Sequence, residues 1–357
     1  MSSTILRVDP EHPDPAAIAQ AAAIMLAGGL VAFPTETVYG LGADAFNAEA
    51  VAGIYAAKGR PAWNPVIAHV PDVAAARALA AEWSDTAQRF ADAFWPGPLT
   101  LLLPKAANVP DIITAGLPAV AVRVPAHPVA LALLRAVARP IAAPSANRFT
   151  QLSPTTAAHV LASLGDRVPL ILDGGASQVG IESTIVDVTG PRPVILRPGM
   201  ISRSQLEAAL GAPVDVHEPA RHAPVRADDP ATVSQRAPGM SDRHYAPRAD
   251  VWLFDAADAR EVERALTVRA QTVRALTSAT SAAPASTVTA LLRHAPLPLG
   301  DHDTVVRMPD TPAEYAHALY AALHSADARG AALIVIERPP DEEDWSALRD
   351  RLARAAQ

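Results

Sequence analysis

Over residues 1–211, apolar positions fall into two kinds of run that alternate along the chain. Leu30-Val31-Ala32-Phe33 is an unbroken apolar run stopped by Pro34, which predicts a buried strand. Ala16 to Leu26 predicts a helix, ended by Gly28-Gly29, and Asn47 to Ala57 carries apolar residues at helical spacing. Strands are expected at Pro65 to Val70, at Leu99 to Leu103 between two prolines, at the alternating segment Val120 to Val124, at Leu170 to Asp173 and at Thr184 to Val188. Pro128 to Ala138 reads as a helix, and Ile141 to Ala143 as a short strand entering a Pro-Ser-Ala-Asn loop. This mixture implies an open α/β sheet that is not purely parallel.

The periodicity then stops. Residues 212–248 carry six prolines and little apolar spacing, which predicts an extended linker, longer than an ordinary connection. A second α/β unit is expected over 249–357. Val251 to Phe254 and Ala332 to Glu337 read as strands, and Trp345 to Ala355 as a closing helix. Thr311-Pro312-Ala313-Glu314 has the spacing of a capping box, with proline at the first helical position, and Gly330 supplies the stop. Strand alternating with helix predicts a small parallel sheet. The expected division is therefore 1–211, a 212–248 linker, and 249–357.

Composition narrows the function classes. Half of the residues are hydrophobic and 19% are charged, which suits a sizeable core and argues against global disorder. No apolar run reaches about 18 residues, the length a membrane span needs, and the N-terminus does not read as a signal peptide. The chain has no cysteine, which excludes disulfides and thiolate metal sites and fits the cytoplasm. A net charge of −7 argues against a broad basic surface and strong direct nucleic-acid binding, while leaving room for a local cluster of cations.

Several loops carry chemistry. Pro34-Thr35-Glu36-Thr37 follows a strand, where ligands of open α/β sheets bind; the bland alternative is a polar turn. Lys58-Gly59-Arg60 places two cations near one another after a helix, which suits a polyphosphate or merely a solvated helix end. His69 ends an apolar strand, a place more often structural than catalytic. Arg123 interrupts an apolar strand and so needs a partner, a ligand carboxylate, or a water-facing edge. Ser153 has the position of an N-cap before Pro154. Glu36 and Glu182 are candidate bases, and no protein metal ligands are legible.

No single motif is specific, but their conjunction is. Phe-Pro-Thr-Glu-Thr, Lys-Gly-Arg-Pro, Asn-Pro, Pro-Ser-Ala-Asn, Glu-Ser-Thr-Ile-Val-Asp and Leu-Arg-Pro-Gly, in that order, resemble the YrdC-like domain. Pro238-Gly239-Met240 and Arg243-His244-Tyr245 resemble the linker of the two-domain threonylcarbamoyl-AMP synthase family. The resemblance implies a twisted mixed open sheet around a concave cavity, followed by a smaller Rossmann-like α/β domain. It implies a nucleotidyltransferase that joins L-threonine, bicarbonate and ATP, with Mg²⁺, for tRNA threonylcarbamoyladenosine modification, upstream of a tRNA threonylcarbamoyl transferase machinery. By motif, threonine maps onto Thr37, His69, Arg123 and Ser183. ATP maps onto Lys58, Arg60, Asn64, Ser145, Ser153, Arg197 and Tyr245, with Lys58 and Arg60 also catalytic. The linker is expected to close over the cavity as a lid. Ala119 and Ala143 stand where a hydroxyl or a side-chain contact would be expected, and Ser241-Asp242 replaces a basic-aromatic pair. Two rivals are weaker. A non-catalytic RNA-binding module of the same fold conflicts with the net charge, and a hydrogenase-maturation carbamoyl transferase would need cysteines.

Overall fold

The computed structural model describes residues 3–217, 244–277, 287–297, 299–300 and 303–357, without the side chains of 270–277. The chain forms two compact units, Met1–Phe149 with Ser153–Ser241, and Thr150–Leu152 with Asp242–Gln357. Within the segment expected to be linker, 218–243 lie outside the described residues, and with them most of the lid expectation.

The first unit is built on β1 (Thr4–Arg7), β2 (Val31–Phe33), β3 (Gly40–Asp44), β4 (Ala68–His69), β5 (Leu99–Pro104), β6 (Ala119–Arg123), β7 (Ile141–Ala142), β8 (Leu170–Asp173), β9 (Thr184–Asp187), β10 (Val194–Arg197) and β11 (Asp215–Val216). Among the described residues these form one mixed sheet in the order β1-β8-β2-β3-β7-β4-β6-β5-β9-β10-β11. The edge strand β11 falls inside 212–248. Buried Val214 precedes it, and Asp215 pairs with Val194, so the sheet runs past the expected boundary.

Strand β3 lies where the sequence pattern predicts no strand. Gly42 permits it: a Cβ there would come within 2.7 Å of Met25 Cε and Phe33 Cε1. The strand expected over Pro65 to Val70 shortens to two residues, because the carbonyls of Asn64 and Pro65 accept from Arg60 instead of a neighbouring strand.

Side-chain alternation divides the sheet's two faces. Leu99, Leu101, Val120, Val122 and Val186 enter the main core on one face. On the other, the helices Pro15–Leu26 and Pro128–Val137 pack over one end through Met25, Phe33, Leu133 and Ile141. At the opposite end of that face stands a separate small cluster, Ile67, Leu102, Ala121, Ile185 and Leu196. His69 pairs with Ile141 on one side and Arg123 on the other, so both polar residues sit where the helix-covered part gives way to this patch.

The second unit has four parallel strands, β12 (Asp250–Phe254), β13 (Val288–Leu292), β14 (Thr304–Arg307) and β15 (Leu333–Glu337), in the order β12-β15-β13-β14. The helix Pro312–Ala328 begins at the expected N-cap, with the Thr311 side chain accepting the Glu314 N–H, but the Glu314 carboxylate accepts from the Thr311 hydroxyl rather than from the backbone N–H that a capping box uses.

Candidate active site

Strand pairing aims the Arg123 side chain onto the Thr35-Glu36-Thr37 loop. Its guanidinium donates to Glu36 Oε1 at 2.6 Å, to Thr37 Oγ1 at 2.9 Å and to the Gly97 carbonyl at 3.2 Å. Both members of the Arg123–Glu36 ion pair are buried. The intrachain partner of this strand arginine is therefore Glu36, a contact between residues 87 apart. Thr35 Oγ1 lies 2.8 Å from Thr37 Oγ1 and donates to the Val38 carbonyl, which fixes the turn. Glu36 Oε2, His69 Nδ1 and Asn64 Nδ2 are buried with no protein partner. Buried polar atoms without a partner call for an explanation, and a bound ligand is one that would supply it.

A second group lies on β9 and β10. Arg197 donates to the Ser183 carbonyl at 3.0 and 3.1 Å and reaches Ser183 Oγ at 3.2 Å. Ser183 Oγ is 2.8 Å from Thr100 Oγ1 on β5. Thr100 escaped the motif reading, although a hydroxyl inside the apolar run Leu99 to Leu103 was a usable signal. Gly199 is required by close approach, since a Cβ there would sit 2.3 Å from the Thr184 nitrogen. Ser153 is not an N-cap. Its hydroxyl donates to Glu182 Oε1 at 2.5 Å, and the Pro154 and Thr155 carbonyls accept from Tyr39 and Ser177, so the helix starts later, capped by Thr156.

Lys58 and Arg60 act as clamps on neighbouring loops. Lys58 is fully buried and donates to the carbonyls of Ser145 and Asn147, each at 2.5 Å. Burial, then the nearby Arg60 charge, lower its ammonium well below the usual lysine range. Arg60 binds Asn64 Oδ1 at 2.5 Å and the Asn64 and Pro65 carbonyls. The two cations thus hold Ser145 and Asn64 in place rather than standing free at a helix end.

His69 is buried, and that burial, followed by the Arg123 charge, lowers its imidazole from 6.5 to about 3. The ring is therefore neutral in the folded chain. Above pH 6.5 neither state protonates it; below, the unfolded chain takes up a proton that the folded chain refuses. Stability should therefore fall as pH drops from 6.5 toward 3, by at most about 1.4 kcal/mol per unit. Urea titrations between pH 7 and 5 should show a shallower decline for His69→Asn than for the parent, and equal slopes would contradict a neutral His69.

Tyr245 belongs to the second unit. Its ring is buried there, 5.0 Å from the Arg351 guanidinium and 6.0 Å from the Tyr320 ring. Ala119, on the face that carries Arg123, borders an apolar recess of about 300 Å³ with Leu102, Pro104, Leu117, Pro118 and Thr189. Among the described residues no group of three or more His, Cys, Asp or Glu side chains could hold a metal ion.

A family model described as "Telomere recombination" matches residues 23–199, and one described as "Threonylcarbamoyl-AMP synthase, C-terminal domain" matches 201–357. A Schizosaccharomyces pombe threonylcarbamoyl-AMP synthase is 39% identical, over 91% of this chain and 84% of its own length. The chain belongs to the threonylcarbamoyl-AMP synthase family. Another such synthase, from Pyrococcus abyssi, is 48% identical over 65% of this chain and 66% of its own length. The solved P. abyssi Sua5 complexed with L-threonine has a TM-score of 0.86 at 37% identity, covering 99% of this chain and 98% of that one. Family membership accounts for the mixed first sheet and the smaller parallel one together.

Proposed function

We propose that this chain condenses L-threonine, bicarbonate or carbon dioxide, and ATP into L-threonylcarbamoyladenylate, with release of pyrophosphate. The observation that supports the reading is that, in a member of this family, a buried guanidinium, a neutral imidazole and the paired hydroxyls of Thr100 and Ser183 lie toward one sheet face. Three of Arg123's five N–H groups go to Glu36, Thr37 and Gly97. The remaining two suit a substrate carboxylate. Thr37, His69 and Ser183 surround the rest of a threonine, and a relative solved with that amino acid supports the choice.

The nucleotide is assigned to Lys58, Arg60, Asn64, Ser145, Ser153 and Arg197, with the apolar recess beside Ala119 as a place for its base. Tyr245, whose ring packs on Arg351 and Tyr320, is the remaining residue that the resemblance assigns to the nucleotide.

Threonine's neutral amine captures carbon dioxide as a carbamate. A carbamate oxygen then attacks the α-phosphorus of ATP, and the bond to the β-phosphate oxygen breaks, with its electron pair leaving on pyrophosphate. Alignment and positive charge carry most of such a step, and Lys58, Arg60 and Arg197 are the cations assigned to it. Mg²⁺ is expected to arrive with the ATP phosphates. The product supplies a tRNA threonylcarbamoyl transferase, with the cytoplasm as the proposed compartment. Among the described residues no helix is long and apolar enough to cross a membrane.

Pyrophosphate release is the test. It should require ATP, threonine and bicarbonate together. Equal release with threonine and bicarbonate both omitted would end this reading. RNA affinity that falls steeply with salt, with no turnover, would favour the RNA-binding alternative.

A further inference from the structure

In the second unit, β13 and β15 are neighbours, and the chain leaves them in opposite directions. After β13 it goes on to β14, while after β15 it enters the helix Ser346–Ala355, which packs against β12. Crevices at the carboxyl ends of parallel strands whose connections diverge in this way are where α/β folds hold ligands, often anions. Here the loop after β13 turns three successive backbone N–H groups, of Arg293, His294 and Ala295, onto one point. Successive N–H groups converging like this form an anion nest.

The nest is filled from within the chain. Glu337, the last residue of β15, is buried, and its Oε2 accepts all three N–H groups at 2.7, 2.9 and 3.0 Å. Beside this loop the Arg293 guanidinium lies 4.6 Å from the Trp345 ring and 3.8 Å from Asp310 Oδ1. Burial, then the Glu337 charge, push the Tyr315 phenol up, so Tyr315 stays protonated. We propose that the C-terminal unit carries an oxyanion site at the switch point of its parallel sheet, and that the chain occupies this site with its own Glu337, so the unit takes no nucleotide phosphate.

The experiment uses the full chain. Calorimetric titration with ATP should give one site per chain, and two would overturn the proposal. Glu337→Ala removes the internal anion and leaves three donors unmet, that of Ala295 buried and those of Arg293 and His294 partly so. Its melting temperature should fall by several degrees, and formate or inorganic phosphate at tens of millimolar should restore most of that loss while moving the parent little. Glu337→Gln keeps an oxygen for the three donors. It should fold without added anion and show no such response. An equal anion effect on parent and Glu337→Ala overturns the proposal. So does a Glu337→Ala chain that stays unfolded with the anions present, or a Glu337→Gln chain that binds phosphate as Glu337→Ala does.

Discussion

Arg123→Ala should remove threonine-dependent turnover and destabilise the first unit by about 3–5 kcal/mol. The large stability effect follows from burial. Arg123 and Glu36 are both under a tenth exposed, and their ion pair is 2.6 Å long. Removing the arginine strands the Glu36 carboxylate, whose Oε2 already has no protein partner. It also takes a donor from Thr37 and from the Gly97 carbonyl. Threonine binding should weaken by about 1.5–3 kcal/mol, the range for a hydrogen bond to a charged group. The two effects separate in a second variant. Arg123→Met with Glu36→Leu replaces both charges by apolar side chains and should recover much of the stability, since a paired loss is milder than a single one. It should not recover threonine binding. Calorimetry on that folded double variant decides: parental threonine affinity would remove Arg123 from the substrate site, and would leave its role purely structural.

Lys58→Met should be nearly as damaging, and for a different reason. The substitution preserves the stem's volume but removes the ammonium that donates to the Ser145 and Asn147 carbonyls. Each buried carbonyl left unmet costs about 1–3 kcal/mol, so the loop between Ile141 and Ser153 should loosen rather than the whole sheet. That loop presents Ser145 and leads to Ser153, both assigned to the nucleotide. The expected outcome is a rise in the Michaelis constant for ATP of tenfold or more, with threonine affinity changed far less. Lys58→Arg should not rescue it, because a planar fork cannot replace a compact ammonium between two carbonyls. A variant that lost threonine affinity while keeping ATP use would show the two subsites to be exchanged.

These two residues show how far single motifs carried. Lys58 stood out because a lysine, a glycine and an arginine follow a helix, and a loop-facing cation pair was a fair expectation. Its partners are 87 and 89 positions away, and local spacing holds no record of them. Arg123 stood out because a charge in an apolar strand needs an explanation. The explanation, Glu36, was in view as part of another motif, but only the sheet order β2-β3-β7-β4-β6 brings the loop after β2 to the end of β6. Ser153 shows the opposite case. Its local pattern spelled a helix cap, and a long-range bond to Glu182 outweighed the local preference.

The chain's own order of residues determined most of the elements and the family. Apolar period, proline stops and capping residues act within a few positions of one another, so they are readable without the fold, as Thr311 at its helix start and Leu170 to Asp173 as a strand both attest. The ordered motifs likewise identify a synthase, because six short segments in one sequence are improbable by chance even when each alone is not. Tertiary structure alone decided three things. It decided that Gly40 to Asp44 is a strand, since the absence of a side chain at Gly42 matters only against Met25, Phe33 and Ile141. It decided that Tyr245 packs on Arg351 and Tyr320 in the second unit, residues at least 75 positions further along. And it decided that Glu337 ends on three backbone N–H groups more than 40 residues upstream. In each case the energy lies in contacts between distant segments, whose partners are chosen by the register of a sheet and the room left around it rather than by any neighbour in sequence.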